Sequence, residues 1–386
     1  MTDPGAIGVY VHWPYCARIC PYCDFNVVRD RGRGEAQAAL VRAIVQDLKA
    51  QARSIGPRRL STVFFGGGTP SLMEPDDLDV ILGAVGAAFA PADDLEVTLE
   101  ANPTDAEAAR FEGFAAAGVN RLSLGVQSLD DEALVFLGRN HGAEEARRAA
   151  AVARAAFPRL SIDLIYALPG QTEAAWRREL AAALELGAEH VSAYQLTLEP
   201  GTAFDRAVRR GRWTPPEPET AGALFEATAD VLGAAGFEAY EVSNHARGSA
   251  ARSRHNLIYW QGGDWLGVGP GAHGRLTAGG ARWSTLTTRR IGDYIGQVER
   301  EGCGLAERSP LSPIEAAEER LLMGLRTTEG VALAELTPLD VDPAVVAALA
   351  GAGLVRRTEG RLIATRRGRA VLDRVTLELA QSARSG

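Results

Sequence analysis

Long apolar runs, lysine and cysteine are all scarce in this sequence of 386 residues. No stretch approaches the roughly 18–20 apolar residues that cross a bilayer. The N-terminus carries no basic stretch leading into an apolar core, so no export signal is read and a cytoplasmic location is expected. Lys49 is the one lysine among 41 basic residues; against 49 acidic ones they leave a net charge of −8, which argues against generic nucleic-acid affinity. Four cysteines are too few to staple a secreted fold with disulfides. They are also unevenly placed, with Cys16, Cys20 and Cys23 in one short stretch and Cys303 far downstream. What is present, 46% hydrophobic and 23% charged residues, describes a globular chain long enough for one large domain and a smaller one.

The first 200 residues alternate strand and helix signals. Gly8–Trp13 reads as a strand, Gly34–Ile55 as an amphipathic helix with Leu40, Ile44 and Leu48 on one face, and Val63–Phe65 as a buried strand. The pattern then gives a helix over Asp76–Phe89, a strand over Leu95–Glu100, a helix over Thr104–Ala117 and a strand over Arg121–Val126. Helices over Asp130–Leu137 and Ala143–Ala156 lead to the strand Leu160–Ile165; a helix over Glu173–Leu186 leads to the strand His190–Leu198. Strands joined through helices make a parallel sheet with right-handed crossovers, so residues 1–200 are α/β. Periodicity does not choose between an open doubly wound sheet and a partial barrel. In both, ligands gather at the C-terminal ends of the strands, where the cysteine cluster, Gly66–Thr69, Glu100 and Gln127 fall. Residues 201–305 form an irregular extension with a helix over Glu219–Ala235; within it Tyr240–Trp283 is rich in Gly, His, Trp and Tyr without clear period, of the kind that more often works than merely connects. Residues 306–386 read as a small α+β, winged-helix-like module carrying Arg356, Arg357, Arg361, Arg366, Arg367, Arg369 and Arg374, with nucleic-acid binding not expected.

Cys16-x3-Cys20-x2-Cys23 offers three thiolates and no plausible fourth nearby, a poor fit to structural zinc, which takes four ligands. Three thiolates suit a four-iron cluster with one iron left free for an exchangeable ligand. Asp163, a carboxylate in the apolar run Leu160–Leu164, is costly to bury without a partner and so points to a site on its own.

At this point the sequence resembles the radical S-adenosylmethionine (SAM) superfamily, whose signature is this cysteine loop after the first strand and whose fold is a (β/α)6 partial TIM barrel. Tyr10–Cys16, Gly66–Pro70, Glu100–Pro103, Arg121–Ser128, Leu137–His141 and Asp163–Gly170 are similar to the anaerobic coproporphyrinogen III oxidase (dehydrogenase)-like family. The resemblance implies a [4Fe-4S] cluster on Cys16, Cys20 and Cys23 and SAM chelated to its open iron. It further implies that Gly67, Gly68 and Thr69 receive the methionine moiety, that Arg139 pairs with the SAM carboxylate, that Gln127 and Asp163 hold the ribose hydroxyls, and that Glu100 faces SAM. Tyr10 and Tyr22 flank the cluster and are expected to pack on adenine or shield the core.

Within that family the sequence resembles the haem chaperone (HemW-type) branch. The dehydrogenase branch carries a further thiol where Phe25 stands, and it has a substantial extension before the first strand, whereas here the first cluster cysteine is already residue 16. His255-Asn-Leu-Ile-Tyr-Trp260 and Gly267–Gly274 are typical of the chaperone branch. His255 is expected as an axial haem ligand, with Asn256 orienting it and Tyr259 and Trp260 covering a porphyrin face. The expected cofactors are therefore the cluster, SAM and haem. The expected partners are haem and acceptor haemoproteins such as respiratory enzymes, with a homodimer and peripheral membrane contact as further options. Decarboxylation of coproporphyrinogen III to protoporphyrinogen IX by radical SAM chemistry is the alternative function.

Overall fold

Alternation along each strand decides what its two faces meet. The computed structural model describes residues 5–32 and 34–382. In β1 (Ala6–Trp13), Ile7, Val9, Val11 and Trp13 are fully buried in the layer between sheet and helices, which leaves Gly8, Tyr10 and His12 for the opposite face. The same parity runs through β2 (Arg59–Gly67), β3 (Ala90–Ala101), β4 (Arg121–Gln127), β5 (Arg159–Tyr166) and β6 (His190–Gln195). Val63, Phe65, Val97, Leu99, Leu122, Leu124, Ile162, Leu164 and Val191 join the outer apolar layer. Thr62, Glu96, Thr98, Glu100, Ser123, Ser161, Asp163 and Ser192 then point to the inner face, so a polar lumen follows from residue parity alone.

β1 to β6 pair in parallel in chain order, and the sheet curls into the partial barrel expected. Helices Gly34–Ile55, Pro75–Ala88, Ala143–Ala156 and Glu173–Leu184 cover its outside, each burying one apolar stripe. The expected helix Thr104–Ala117 is two short pieces, Asp105–Ala108 and Phe111–Ala116; the side chain of Thr104 caps the first.

The stretch without clear period proves ordered. Residues Asp264–Val268 form β7, a parallel strand seated beside β1, and β8 (His273–Ala278), β9 (Ala281–Thr287) and β10 (Leu305–Pro310) continue the sheet antiparallel beyond it. At the far edge the short strands Asn244–Ala246 and Glu238–Ala239 follow β6. Residues 201–305 thus extend both edges of the sheet begun by residues 1–200, and Leu224, Leu266, Tyr294 and Val298 share its core.

The C-terminal residues pack around a core of their own that includes Leu321, Leu325, Val331, Leu362, Val375 and Leu379. Helices Pro313–Gly324, Pro343–Gly351 and Leu372–Ser382 surround a three-stranded sheet, Val331–Ala332, Arg361–Ala364 and Val355–Thr358. Part of the arginine charge there is spent internally: Arg366 is ion-paired with Glu226 and Asp230 on the helix Pro218–Ala234.

Candidate metal centre and cofactor pocket

The chain leaves β1 and enters the cysteine loop at once. Gly68 N–H donates to Trp13 O at 2.7 Å and Thr69 N–H to Tyr15 O at 2.8 Å, so the turn after β2 is laced to the backbone that delivers Cys16. Both glycines are required by this closeness. Gly67 has φ +109° and a β-carbon there would come within 2.5 Å of the His12 ring; at Gly68 it would come within 2.6 Å of Tyr15 O. These amides therefore anchor the cysteine loop, a duty that the resemblance alone did not show.

Cys16 is buried; Cys20 and Cys23 are half-buried, and all three are free thiols. Burial pushes the Cys16 thiol up to about 11 and raises that of Cys23. A bound metal centre reverses that cost, because the thiolate is the ligand form. Among the described residues no group of three His, Cys, Asp or Glu side chains is gathered as a mononuclear metal site. The donor set fits a four-iron cluster: one loop and three thiols that sense one another's charge.

Arg139 reaches this loop from beyond β4. Its Nη1 donates to Cys20 Sγ at 3.3 Å, and its Nη2 donates to Gly125 O at 3.1 Å and to Asn102 Oδ1. Its Nε is buried and has no hydrogen-bond partner among the described residues, a donor available to a bound carboxylate. Tyr22 shares hydrogen bonding with Arg139 and Cys20 and packs on Phe204. Asn102 was missed as a functional residue. It also donates from Nδ2 to Thr69 Oγ1 at 3.1 Å, and Thr69 in turn bonds the Cys16 thiol. Asn102 thus fixes Arg139 and Thr69 against the cysteines; the quoted stretch Glu100–Pro103 contained it, but its role depends on partners more than thirty positions away in the chain.

Below this layer lie the lumen carboxylates. Glu100 Oε2 accepts from Gly67 N–H at 3.2 Å, and burial together with the Asp163 charge pushes its carboxyl up to about 7. Ser123 Oγ donates to Asp163 at 2.9 Å and Ser161 Oγ at 3.3 Å, while burial raises the Asp163 carboxyl. Gln127 ends β4 at φ +65°, where the β4–β5 register slips, and Ala167 follows β5 at φ +62°. Two non-glycine residues in left-handed backbone on neighbouring strand ends mark this rim as shaped for something other than stability. Tyr10 OH lies 3.1 Å from His12 Nδ1, and its ring stacks on Phe64. Asp163, Glu100, Gln127, Arg139, Thr69 and the cysteines are thus brought to one end of the barrel and its upper lumen.

Residues 10–182 match the family described as Radical SAM superfamily, and residues 311–371 match the HemN C-terminal domain. The chain is 37% identical over 374 residues to a protein named Heme chaperone HemW from Mycobacterium tuberculosis, covering 96% of this chain and 94% of that one. The protein of that name from Bacillus subtilis is 34% identical, covering 93% and 95%. The chain belongs to the HemW-like branch of the radical SAM superfamily. It is also 48% identical over 329 residues to the Bos taurus protein named Radical S-adenosyl methionine domain-containing protein 1, mitochondrial, covering 84% of this chain and 74% of that one. The solved coproporphyrinogen III oxidase HemN from Escherichia coli superposes with a TM-score of 0.80 over 98% of this chain and 90% of its own, at 21% identity, which shows the fold.

The residues quoted as typical of the HemW-type branch do not form one exposed porphyrin face. His255 is fully buried in the helix Arg254–Gln261, inside the barrel, with its ring stacked 5.0 Å from Phe64. Both ring nitrogens are engaged, Nδ1 with Thr62 Oγ1 at 2.7 Å and Nε2 with Tyr259 OH at 2.6 Å. Burial lowers its basicity to about 3. An axial haem ligand must offer a nitrogen, and in this arrangement both nitrogens of His255 are engaged inside the core. Trp260 faces elsewhere: its ring packs near Tyr240 and Arg326, and its carbonyl accepts from Arg320 of the C-terminal module. Asn256 is half-buried, and its backbone N–H donates to the Ser253 cap. His255→Ala is expected to cost about 2–4 kcal/mol, from the cavity and two stranded hydroxyls, as a lower denaturation midpoint. A midpoint equal to that of the unaltered chain would show that these bonds do not form.

Phe25, at the position that separates the two branches, is 63% exposed. The next residue ties this loop to the turns that follow β7 and β9: Asn26 Nδ2 donates to Pro270 O at 2.8 Å and to Arg289 O at 2.9 Å, and His12 Nε2 bonds Asn26 O at 2.9 Å. A β-carbon on Gly271 would come within 2.6 Å of Asn26 Nδ2. The glycine-rich stretch after β7 is therefore a bed for the cysteine loop.

Proposed function

We propose that this chain is a haem chaperone: it binds a [4Fe-4S] cluster on Cys16, Cys20 and Cys23, binds SAM beside it, binds haem, and delivers the haem to acceptor haemoproteins such as respiratory enzymes. The observation that carries this reading is similarity over almost the whole chain to proteins named heme chaperone. The site residues support the first two ligands. When bound, the cluster would supply an iron with an open position and, on reduction, an electron. Arg139, with its unpaired buried Nε, would pair with the SAM carboxylate. Gln127 and Asp163 would meet the ribose hydroxyls, and Glu100 would face the bound molecule. Tyr22 would shield the cysteine loop. Tyr10, stacked in the lumen, would line the floor of the pocket.

A cytoplasmic location and a homodimer belong to the proposal; among the described residues no helix is long and apolar enough to cross a membrane. Coproporphyrinogen dehydrogenation is the reading not favoured. The likeness to the solved oxidase is one of fold, and the loop presents the hydrocarbon Phe25 where that branch carries a thiol.

The test is a haem titration of the anaerobically reconstituted protein, followed by its visible spectrum, with coproporphyrinogen III turnover measured on the same preparation. The proposal expects saturable haem binding and no protoporphyrinogen product. Product formation at catalytic rates with no haem binding would overturn it.

A further inference from the structure

Two residues on the barrel rim hold a backbone conformation that side chains seldom adopt: Gln127 at the end of β4, with φ +65°, and Ala167 just past β5, with φ +62°. At Gln127 the strain has a definite form. Ser128 N–H donates to Val126 O at 2.8 Å, so three residues close a tight turn with Gln127 at its centre in left-handed backbone. A γ-turn of this hand is rare, and it persists only where the surroundings over-determine it.

One carboxylate holds both places. Glu179, half-buried on the helix Glu173–Leu184, accepts at Oε1 from the Ser128 hydroxyl and from Leu129 N–H, the latter at 2.8 Å. Its Oε2 accepts from Gln171 Nε2 at 3.5 Å, and Gln171 Oε1 accepts at 3.2 Å from the N–H of Leu168, the residue after Ala167. The helix is a fixed base for these bonds. Trp176, one turn before Glu179, is fully buried, stacks on Tyr166 at the end of β5 and donates from Nε1 to Thr228 Oγ1 at 2.8 Å.

We infer that Glu179 is a positioning residue for SAM: without touching it, the carboxylate holds the γ-turn that presents Gln127 to the ribose hydroxyls and, through Gln171, the turn that ends the strand of Asp163. The choice of side chain has a chemical reason. A carboxylate is all acceptor, so one oxygen takes two donors from the β4 rim while the other takes a third from the β5 rim. A plain helix-to-sheet tie would account for the bonds to Ser128 and Leu129, but not for their place directly after a strained residue. The inference rests on the SAM-binding part of the proposed function and goes beyond it by giving the shape of the ribose end to a residue outside the pocket.

The test is equilibrium binding of SAM, and of its 2′,3′-dideoxyribose analogue, to the anaerobically reconstituted full chain. Glu179→Leu fills the same space with no acceptor; it is expected to bind SAM about tenfold more weakly and the analogue about as well as the unaltered chain does. Glu179→Gln keeps an acceptor oxygen for Ser128 and Leu129 and should bind SAM within about threefold of the unaltered chain. Iron content and denaturation midpoint show whether each variant is loaded and folded. If Glu179→Leu is not, Ser128→Ala, which removes one of the bonds, decides on the same comparison, with an expected loss of about threefold for SAM alone. Equal SAM affinity in the folded variant, or a loss that is the same for SAM and the analogue, would overturn the inference and leave SAM binding standing. Absence of SAM binding by the unaltered chain would remove that part of the proposed function and this inference together.

Discussion

Cys16→Ala is expected to abolish the iron–sulfur centre outright. The unaltered chain, reconstituted anaerobically, should hold about four iron atoms and the broad visible absorbance of a [4Fe-4S] cluster; the variant should hold well under one and lack that absorbance. The size of the effect follows from the donor set. Cys16 is the buried member of the trio, its loop backbone is fixed by Asp30, Gly68 and Thr69, and no spare thiol stands ready to replace it, since Cys303 lies by Asp47 and Tyr294. Cys303→Ala is the control and should keep its iron. An intact cluster in Cys16→Ala would remove Cys16 from the ligand set.

The second large effect lies at the opposite end of the lumen. Glu96 is fully buried; its carboxylate accepts from Arg159 Nη1 at 2.6 Å, from His255 N–H at 3.0 Å and from Arg254 N–H at 3.2 Å. Arg121, also buried, adds its charge. Burial opposes ionisation, but these cations and amides outweigh it and hold the carboxyl below its ordinary value. Glu96→Gln leaves Arg121 and Arg159 without their counter-charge and should cost about 3–5 kcal/mol at neutral pH. Because the folded-state carboxyl is the more acidic one, its ionisation favours the fold above the ordinary carboxylate range. That advantage shrinks as pH falls through the folded-state value. The stability gap between the two proteins, read from denaturant midpoints, should therefore be widest near pH 7 and narrow towards pH 3. A gap below about 1 kcal/mol at pH 7 would show that the network contributes little.

Much of the barrel was legible because residue parity in β1 to β6 is regular and each strand is followed by a helix signal. The cysteine loop and Asp163 stood out by local chemistry. Arg139, one arginine among many, stood out only through resemblance, and its bonds to Cys20 and Asn102 are tertiary. β7 escaped notice because Asp264–Val268 is five residues long with Gly267 inside it, too short for a period. The expectation of His255 as a haem ligand comes from resemblance to the chaperone branch, not from its own surroundings in the sequence. The helix from Arg254 to Gln261, capped by Ser253 and ended by left-handed Gly262, instead sets Tyr259 one turn away, within reach of its ring. Spacing of four was visible in the sequence; the burial that decides its meaning was not.

Transfer tests the central claim most directly. Haem-loaded protein, freed of excess haem, is mixed with an apo-haemoprotein of the respiratory type, and the acceptor's own haem spectrum and activity are followed in time. A haem chaperone should give stoichiometric transfer faster than free haem at the same concentration reconstitutes the acceptor. Haem that stays on the protein, or an acceptor that fills no faster than from free haem, would contradict it.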